Sequence, residues 1–104
     1  RAIARAIERI QADYARPLTV EILAPHAGLS VSAFHDHFRK RIGRSPADYL
    51  AELRLDHAAR LLRASDLSIA EIALATGFSE QSALTRSFRR RRGMTPARIR
   101  RGQT

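Results

Sequence analysis

Arginine side chains are the most prominent chemically functional groups in this sequence. Of its 19 basic residues only Lys40 is a lysine, and 10 acidic residues leave a net charge of +9. Eight arginines and no acid occupy the segment from Arg86 to Arg101. The flat guanidinium fork pairs with phosphates and guanine edges better than an ammonium group does, although a GC-rich genome would also favour arginine. Such a basic chain is expected to bind polyanions, nucleic acid first and an anionic membrane surface second.

Other chemistry is sparsely represented. The chain has no cysteine, which excludes disulfides and thiolate metal sites. His35 and His37 point to different faces of one predicted helix, with His37 toward its buried edge, while His26 and His57 lack a partner at ligand spacing. Neither a glycine-rich phosphate loop nor a Gly-x-Ser-x-Gly turn is present. We therefore expect no metal, no cofactor and no enzymatic activity.

Composition predicts a soluble globular domain. The 104 residues are 44% hydrophobic and 28% charged, which is ordinary for a folded domain. No apolar run approaches the roughly 18 residues of a membrane span, and no signal peptide is visible. A membrane-surface helix would expose its bulky apolar residues, which are needed inside here. A cytoplasmic location without membrane contact is expected.

The hydrophobic pattern predicts an all-α fold, because apolar residues recur every three or four positions and nothing alternates with period two. Seven helices are predicted, over residues 2–13, 20–27, 31–42, 46–63, 69–76, 80–92 and 96–100. The expected apolar stripe of the first helix consists of Ile3, Ile7, Ile10 and Tyr14. In the fourth helix the packed positions are expected to be Leu50, Leu53, Ala58, Leu61 and Leu62. About 18 residues of helix would span roughly 27 Å.

Residues 18–46 and 67–96 are two copies of one pattern. Leu18, Gly28 and Ser30 match Leu67, Gly77 and Ser79 at an offset of 49. Phe38, Gly43 and Pro46 match Phe88, Gly93 and Pro96 at an offset of 50. One residue has therefore been inserted in the second copy, and we expect it just inside that copy's second helix.

Each copy carries the signals of a helix, a tight turn and a second helix. Gly28 and Gly77 are placed to end the first helix with a positive φ. The predicted N-caps are Thr19, Ser30, Ser45, Ser68, Ser79 and Thr95, with a capping box from Ser68 to Glu71. Small residues, Ala24 and Ala73, permit a close helix crossing. This order is that of a helix-turn-helix. A plain helical hairpin of a solenoid is the alternative, but solenoid repeats follow one another directly and here residues 46–63 intervene.

Helical geometry then selects the faces that would meet DNA. In the second copy Leu84 and Phe88 are expected inside, the opposite face consists of Ser82, Thr85, Arg86 and Arg89, and Gln81 lies at the exposed N-terminal end. In the first copy Phe34 and Phe38 are expected inside, and the opposite face consists of Ser32, His35, Asp36 and Arg39. Arg86 is the strongest candidate for reading guanine, and Gln81 for reading adenine.

Asp36 is the unexpected member of this set. A carboxylate among phosphates is repelled unless it accepts from cytosine N4 or is neutralised by Arg39 or Lys40. Of these we favour the pairing within the helix. The phosphate-binding candidates are Arg39, Lys40, Arg89, Arg90 and Arg92.

The sequence resembles the AraC/XylS family of transcription regulators over residues 5–100. The residues that carry the resemblance are Leu18-Thr19-Val20, Ala27 to Ser30, Phe34, Phe38, Gly43, Pro46, Tyr49-Leu50, Arg54, Ala58-Ala59, Leu61-Leu62, Ile69 to Ala73, Gly77-Phe78-Ser79, Phe88 and Gly93 to Pro96. The resemblance implies two homeodomain-like helix-turn-helix subdomains in tandem, residues 1–50 and 51–104, with the long linking helix running from the first into the second.

Several functional expectations come with this resemblance. It implies binding of double-stranded DNA, with two recognition helices in successive major grooves and the selected faces near bases and phosphates. It also implies a bacterial activator that contacts RNA polymerase and senses a small molecule only through a domain outside this chain, although a complete single-domain regulator is a second possibility. The alternative from another class is a helical interaction module whose basic face docks acidic partners.

Overall fold

A computed structural model describes residues 1–102 of the chain, and all regular secondary structure in that range is helical. The seven helices are α1 (Ala2–Asp13), α2 (Val20–His26), α3 (Val31–Ile42), α4 (Pro46–Ala64), α5 (Ile69–Ala75), α6 (Gln81–Arg92) and α7 (Pro96–Arg100). The prediction of an all-α fold with seven helices is confirmed. The chain divides into two compact units, Arg1–Glu52 and Leu53–Thr104, of which the second is described as far as residue 102.

The first unit is built around two aromatic residues of α3. Phe34 and Phe38 are completely buried, and their ring centroids lie 5.7 Å apart. Phe38 also meets Tyr49 edge to face, with the centroids again 5.7 Å apart. Such aromatic pairs add directional attraction to the burial of apolar surface. They hold α3 in one orientation about its own axis, which determines the side chains that it shows to solvent.

The core of the first unit is completed by buried residues of α1 and α2 and by Leu50 of α4. Ile3 and Ile10 are buried as predicted. Ile7 and Tyr14 are only half-buried, whereas Ala6 is completely buried. The predicted stripe was thus correct at two of its four positions, and it omitted Ala6 because the pattern of large residues does not reveal where a small one lies closest to a neighbouring helix.

The second unit has a continuous apolar core. Its buried members are Leu55, Ala58, Ala59, Leu62, Ile72, Ala73, Leu84, Phe88 and Ile99. The prediction for α4 was correct for Leu50, Ala58 and Leu62, but it omitted Leu55 and Ala59, and it included Leu53 and Leu61, which are half-buried. Because this core completely encloses the Phe88 side chain, α6 is also held with one face inward.

Most helices begin where the capping signals predict. The hydroxyl oxygens of Thr19, Ser30, Ser45, Ser68 and Thr95 each accept a backbone N–H of the first turn, at 3.0–3.3 Å. The predicted capping box is complete, because the Ser68 amide donates to Glu71 Oε1 at 2.8 Å. This hydrogen bond from the Ser68 backbone lowers the pKa of Glu71. The stabilisation from this carboxylate is present above its ordinary pKa and is lost as pH falls through the lowered value.

The inserted residue lies in the turn before α6, and the prediction that it lies inside the helix was wrong. Both α3 and α6 have 12 residues and both end at a left-handed glycine. However, α3 begins directly after Ser30, whereas α6 begins two residues after Ser79. The N-cap of α6 is therefore Glu80, which makes no side-chain capping bond, and the prediction of Ser79 as a cap was also wrong.

Gly77→Val is expected to destabilise the second unit. Gly77 has a φ of +96° and Gly28 a φ of +73°, in the region that a β-branched residue reaches only under strain. We expect a loss of about 1–3 kcal/mol, seen as a lower melting temperature in circular dichroism. Gly77→Asn is the control, because asparagine tolerates positive φ better. A melting temperature of Gly77→Val equal to that of the unmodified chain would contradict the assignment.

Candidate nucleic-acid interface

The outer face of α6 is polar and basic. Leu84 and Phe88 are completely buried, so the opposite side of the helix faces solvent. The exposed residues there are Ser82, Arg86, Arg89 and Arg90, with Thr85 half-buried, and Gln81 is exposed at the N-terminal end of the helix. A convex helix face with donors near its N-terminal end and cations near its C-terminal end has the layout of a major-groove recognition helix.

The outer face of α3 is polar but less basic. Ser32, Asp36, Arg39 and Lys40 are exposed, and His35 is half-buried. The structure therefore places each predicted reading residue of this helix opposite the buried Phe34 and Phe38. The roles of these residues toward bases and phosphates stay predictions.

Two expectations about α3 were wrong. Asp36 forms no ion pair with Arg39 or Lys40 among the residues that the structure describes. Such exposed pairs contribute little free energy, so sequence spacing does not ensure that they form. His37 is exposed rather than at the buried edge, and it lines an open concavity of about 240 Å³ beside the N-terminal end of α1.

The structure also changes the assignment of Arg92. Its Nη2 donates to Asp56 Oδ1 of α4 at 2.7 Å, and its guanidinium lies 5.9 Å from the centre of the Phe88 ring. Arg92 thus takes part in the packing of α6 on α4, and its role toward a phosphate stays a prediction. Sequence reasoning missed this pair because its partners are 36 residues apart.

Arg100 is another arginine that serves the fold. It donates to the backbone carbonyls of Leu62 and Ser65, each at 3.1 Å. A cation at the C-terminal end of a helix satisfies free carbonyl groups and opposes the helix dipole. Between Arg86 and Arg101, five arginines are left exposed: Arg86, Arg89, Arg90, Arg98 and Arg101.

The two units differ in charge. Residues 1–52 contain eight basic and six acidic residues, whereas residues 53–104 contain eleven basic and four acidic residues. Net positive charge raises affinity for any polyanion independently of sequence. The second unit is therefore expected to supply most of the sequence-independent attraction to a nucleic acid.

Among residues 1–102, no three His, Cys, Asp or Glu side chains form a group that could hold a metal ion. The pKa of His57 is lowered by burial and by the neighbouring Arg60, whose Nη2 donates to its Nδ1. In the same range, every helix is too short or too polar to cross a bilayer.

Comparison with known proteins gives consistent matches. A family model described as a helix-turn-helix domain matches residues 23–102. The transcriptional regulator ExsA of Pseudomonas aeruginosa is 37% identical over 103 residues, covering 95% of this chain and 37% of ExsA. The transcriptional activator RhaS of Escherichia fergusonii is 34% identical over 94 residues, covering 90% of this chain and 34% of RhaS. The chain thus spans about a third of the length of these curated relatives.

Solved structures match over nearly the whole chain. The DNA-binding domain of the global transcriptional factor AdpA, solved with a target DNA, is 34% identical with a TM-score of 0.91. The match covers 96% of this chain and 90% of that one. An AraC-type regulator from Chromobacterium violaceum is 29% identical with a TM-score of 0.89, and the match covers 99% of this chain and 92% of that one.

Proposed function

The chain belongs to the AraC family of bacterial transcription regulators as a DNA-binding helix-turn-helix domain, and from this we propose how it reads DNA. The proposal is that α3 and α6 enter two successive major-groove segments of double-stranded DNA. The observation that carries it is the exposed, arginine-bearing face of α6 opposite the buried Leu84 and Phe88. An acidic-partner module is not favoured, because it gives no reason for two helix-turn-helix units in one chain.

In this proposal the base readers lie in the N-terminal halves of the two helices. Arg86 binds guanine O6 and N7, and Gln81 binds adenine N6 and N7. The neighbouring readers are Ser32, His35, Ser82 and Thr85. Arg39, Lys40, Arg89 and Arg90 bind phosphates, which positions the domain without selecting sequence. Gly28 and Gly77 hold the turns that set the angle of each reading helix.

We further propose a setting for this domain in the full-length protein. Because the curated relatives are about three times as long as the matched segment, an effector-binding domain outside this chain is proposed to sense a small molecule. Contact with RNA polymerase, activation of transcription and a cytoplasmic location belong to the same proposal. Activation of transcription is supported by the relatives that are named transcriptional activators.

Selection of binding sites from a randomised duplex library tests this function. The unmodified chain is expected to enrich a defined site. Arg86→Ala is expected to relax the preference at one base pair by about 1–3 kcal/mol, because a bidentate contact to guanine is lost while the exposed position leaves the fold intact.

Arg63→Ala is the matched control, since Arg63 is exposed on α4 and its loss changes the charge equally. It should leave every base preference in place. Unchanged selectivity of Arg86→Ala would remove Arg86 from the readout. Failure of the unmodified chain to enrich any sequence would overturn the proposed function.

A further inference from the structure

Asp36 is an exposed carboxylate at the centre of the predicted reading face of α3. It is the sixth residue of that helix, which begins at Val31. Its side chain has no ion pair among the described residues, although Arg39 and Lys40 follow three and four residues later. An acceptor with no internal partner is free to meet an external donor.

Arg86 occupies the corresponding place in the second unit. It is the sixth residue of α6, which begins at Gln81, and both helices have 12 residues. The structure therefore superimposes Asp36 on Arg86 within the two repeats. Opposite charges at equivalent positions mean that the two helices are suited to opposite hydrogen-bonding partners.

The chemistry of the major groove limits what Asp36 can accept there. Guanine presents only acceptors, N7 and O6, and thymine presents the O4 acceptor and a methyl group. Adenine presents the N6 donor beside the N7 acceptor, which repels a carboxylate. Cytosine presents the N4 amino group as a donor. A carboxylate is thus best matched to cytosine and is disfavoured at the other bases.

We propose that Asp36 is a specificity residue that selects cytosine at one position of the DNA site. This inference rests on the proposed function and adds to it the base chemistry read by the first unit. In the absence of cytosine, the carboxylate lies among phosphates with no compensating donor and weakens binding. Asp36 thereby lowers the affinity of α3 for non-cognate DNA, while the more basic second unit retains general affinity.

The test compares the base preferences of Asp36→Asn and Asp36→Ala with those of the unmodified chain in a randomised library. The unmodified chain is expected to favour cytosine at one position by about 5- to 150-fold, the usual cost of one mismatched base pair. Asp36→Asn should shift that position toward adenine, because an amide pairs with adenine N6 and N7. Asp36→Ala should make it indifferent, and both variants should bind random-sequence duplex more tightly.

Asp66→Asn is the matched control, because Asp66 is exposed between α4 and α5 and the charge change is the same. It should keep the cytosine preference. The inference would be overturned if the unmodified chain enriches a site and both Asp36 variants show the same base preferences as that chain. The proposed function would still hold in that case. No enrichment by the unmodified chain would overturn both. Thermal melting of each variant verifies that the fold is retained.

Discussion

Phe88→Ala is expected to lower the free energy of unfolding by about 3–5 kcal/mol. Phe88 is completely buried in the core of the second unit, among residues of α4, α5 and α7. Truncation removes the apolar transfer energy of the ring and leaves a cavity that close-packed neighbours fill only in part. Domains of the size of the second unit have a total free energy of unfolding of roughly 3–8 kcal/mol. The second unit of the Phe88→Ala variant should therefore be largely unfolded.

Chemical denaturation followed by circular dichroism measures this loss, and hydrogen exchange locates it. Amide protection should fall in α5, α6 and α7. Leu74→Ala is the control, because Leu74 is 64% exposed on α5 and its removal should cost little. DNA affinity should fall with Phe88→Ala, since an unfolded α6 presents no reading face. A loss of stability below about 1 kcal/mol would show that this core is not packed as described.

Raising the salt concentration from 50 to 200 mM is expected to weaken binding to a random-sequence duplex about a thousandfold. Each phosphate neutralised by a basic side chain releases condensed counterions, and the logarithm of the binding constant falls with the logarithm of salt at about −0.9 per contact. If about six phosphates are contacted, the slope is near −5. Fluorescence anisotropy of a labelled duplex measures it.

Variants that each lack one arginine measure how much that residue contributes to the slope. Arg90→Ala should reduce it by about one, as expected for the loss of one phosphate contact. Arg92→Ala should reduce it less, because Arg92 already pairs with Asp56. Arg63→Ala serves as the charge control, since Arg63 lies outside the predicted phosphate set.

The same titration separates DNA binding from docking of acidic proteins. Polyglutamate at equal charge concentration should compete poorly with a duplex, because it lacks the spacing of phosphates along a groove. Effective competition by polyglutamate, or the absence of any complex at 50 mM salt, would favour the interaction-module alternative.

The features of this structure that the sequence determined by itself depend on local interactions. The helical periodicity, the caps Thr19, Ser30 and Ser68, and the left-handed glycines depend on residues within four positions of one another. So does the choice of reading faces, because Phe34 and Leu84 determine the inward direction of their own helices. These features, and with them the recognition of a duplicated helix-turn-helix, follow from sequence because their physical causes are short-ranged.

Tertiary structure decided which polar side chains form hydrogen bonds and ion pairs between helices. Arg90 and Arg92 look equivalent in the sequence, yet only packing on α4 brings Arg92 to Asp56. Arg100 reaches the end of α4 in the same manner. The pairing expected for Asp36 did not form, because a surface ion pair gains too little free energy to be dictated by spacing. Contacts between residues far apart in the chain depend on how helices pack, and no local pattern encodes that.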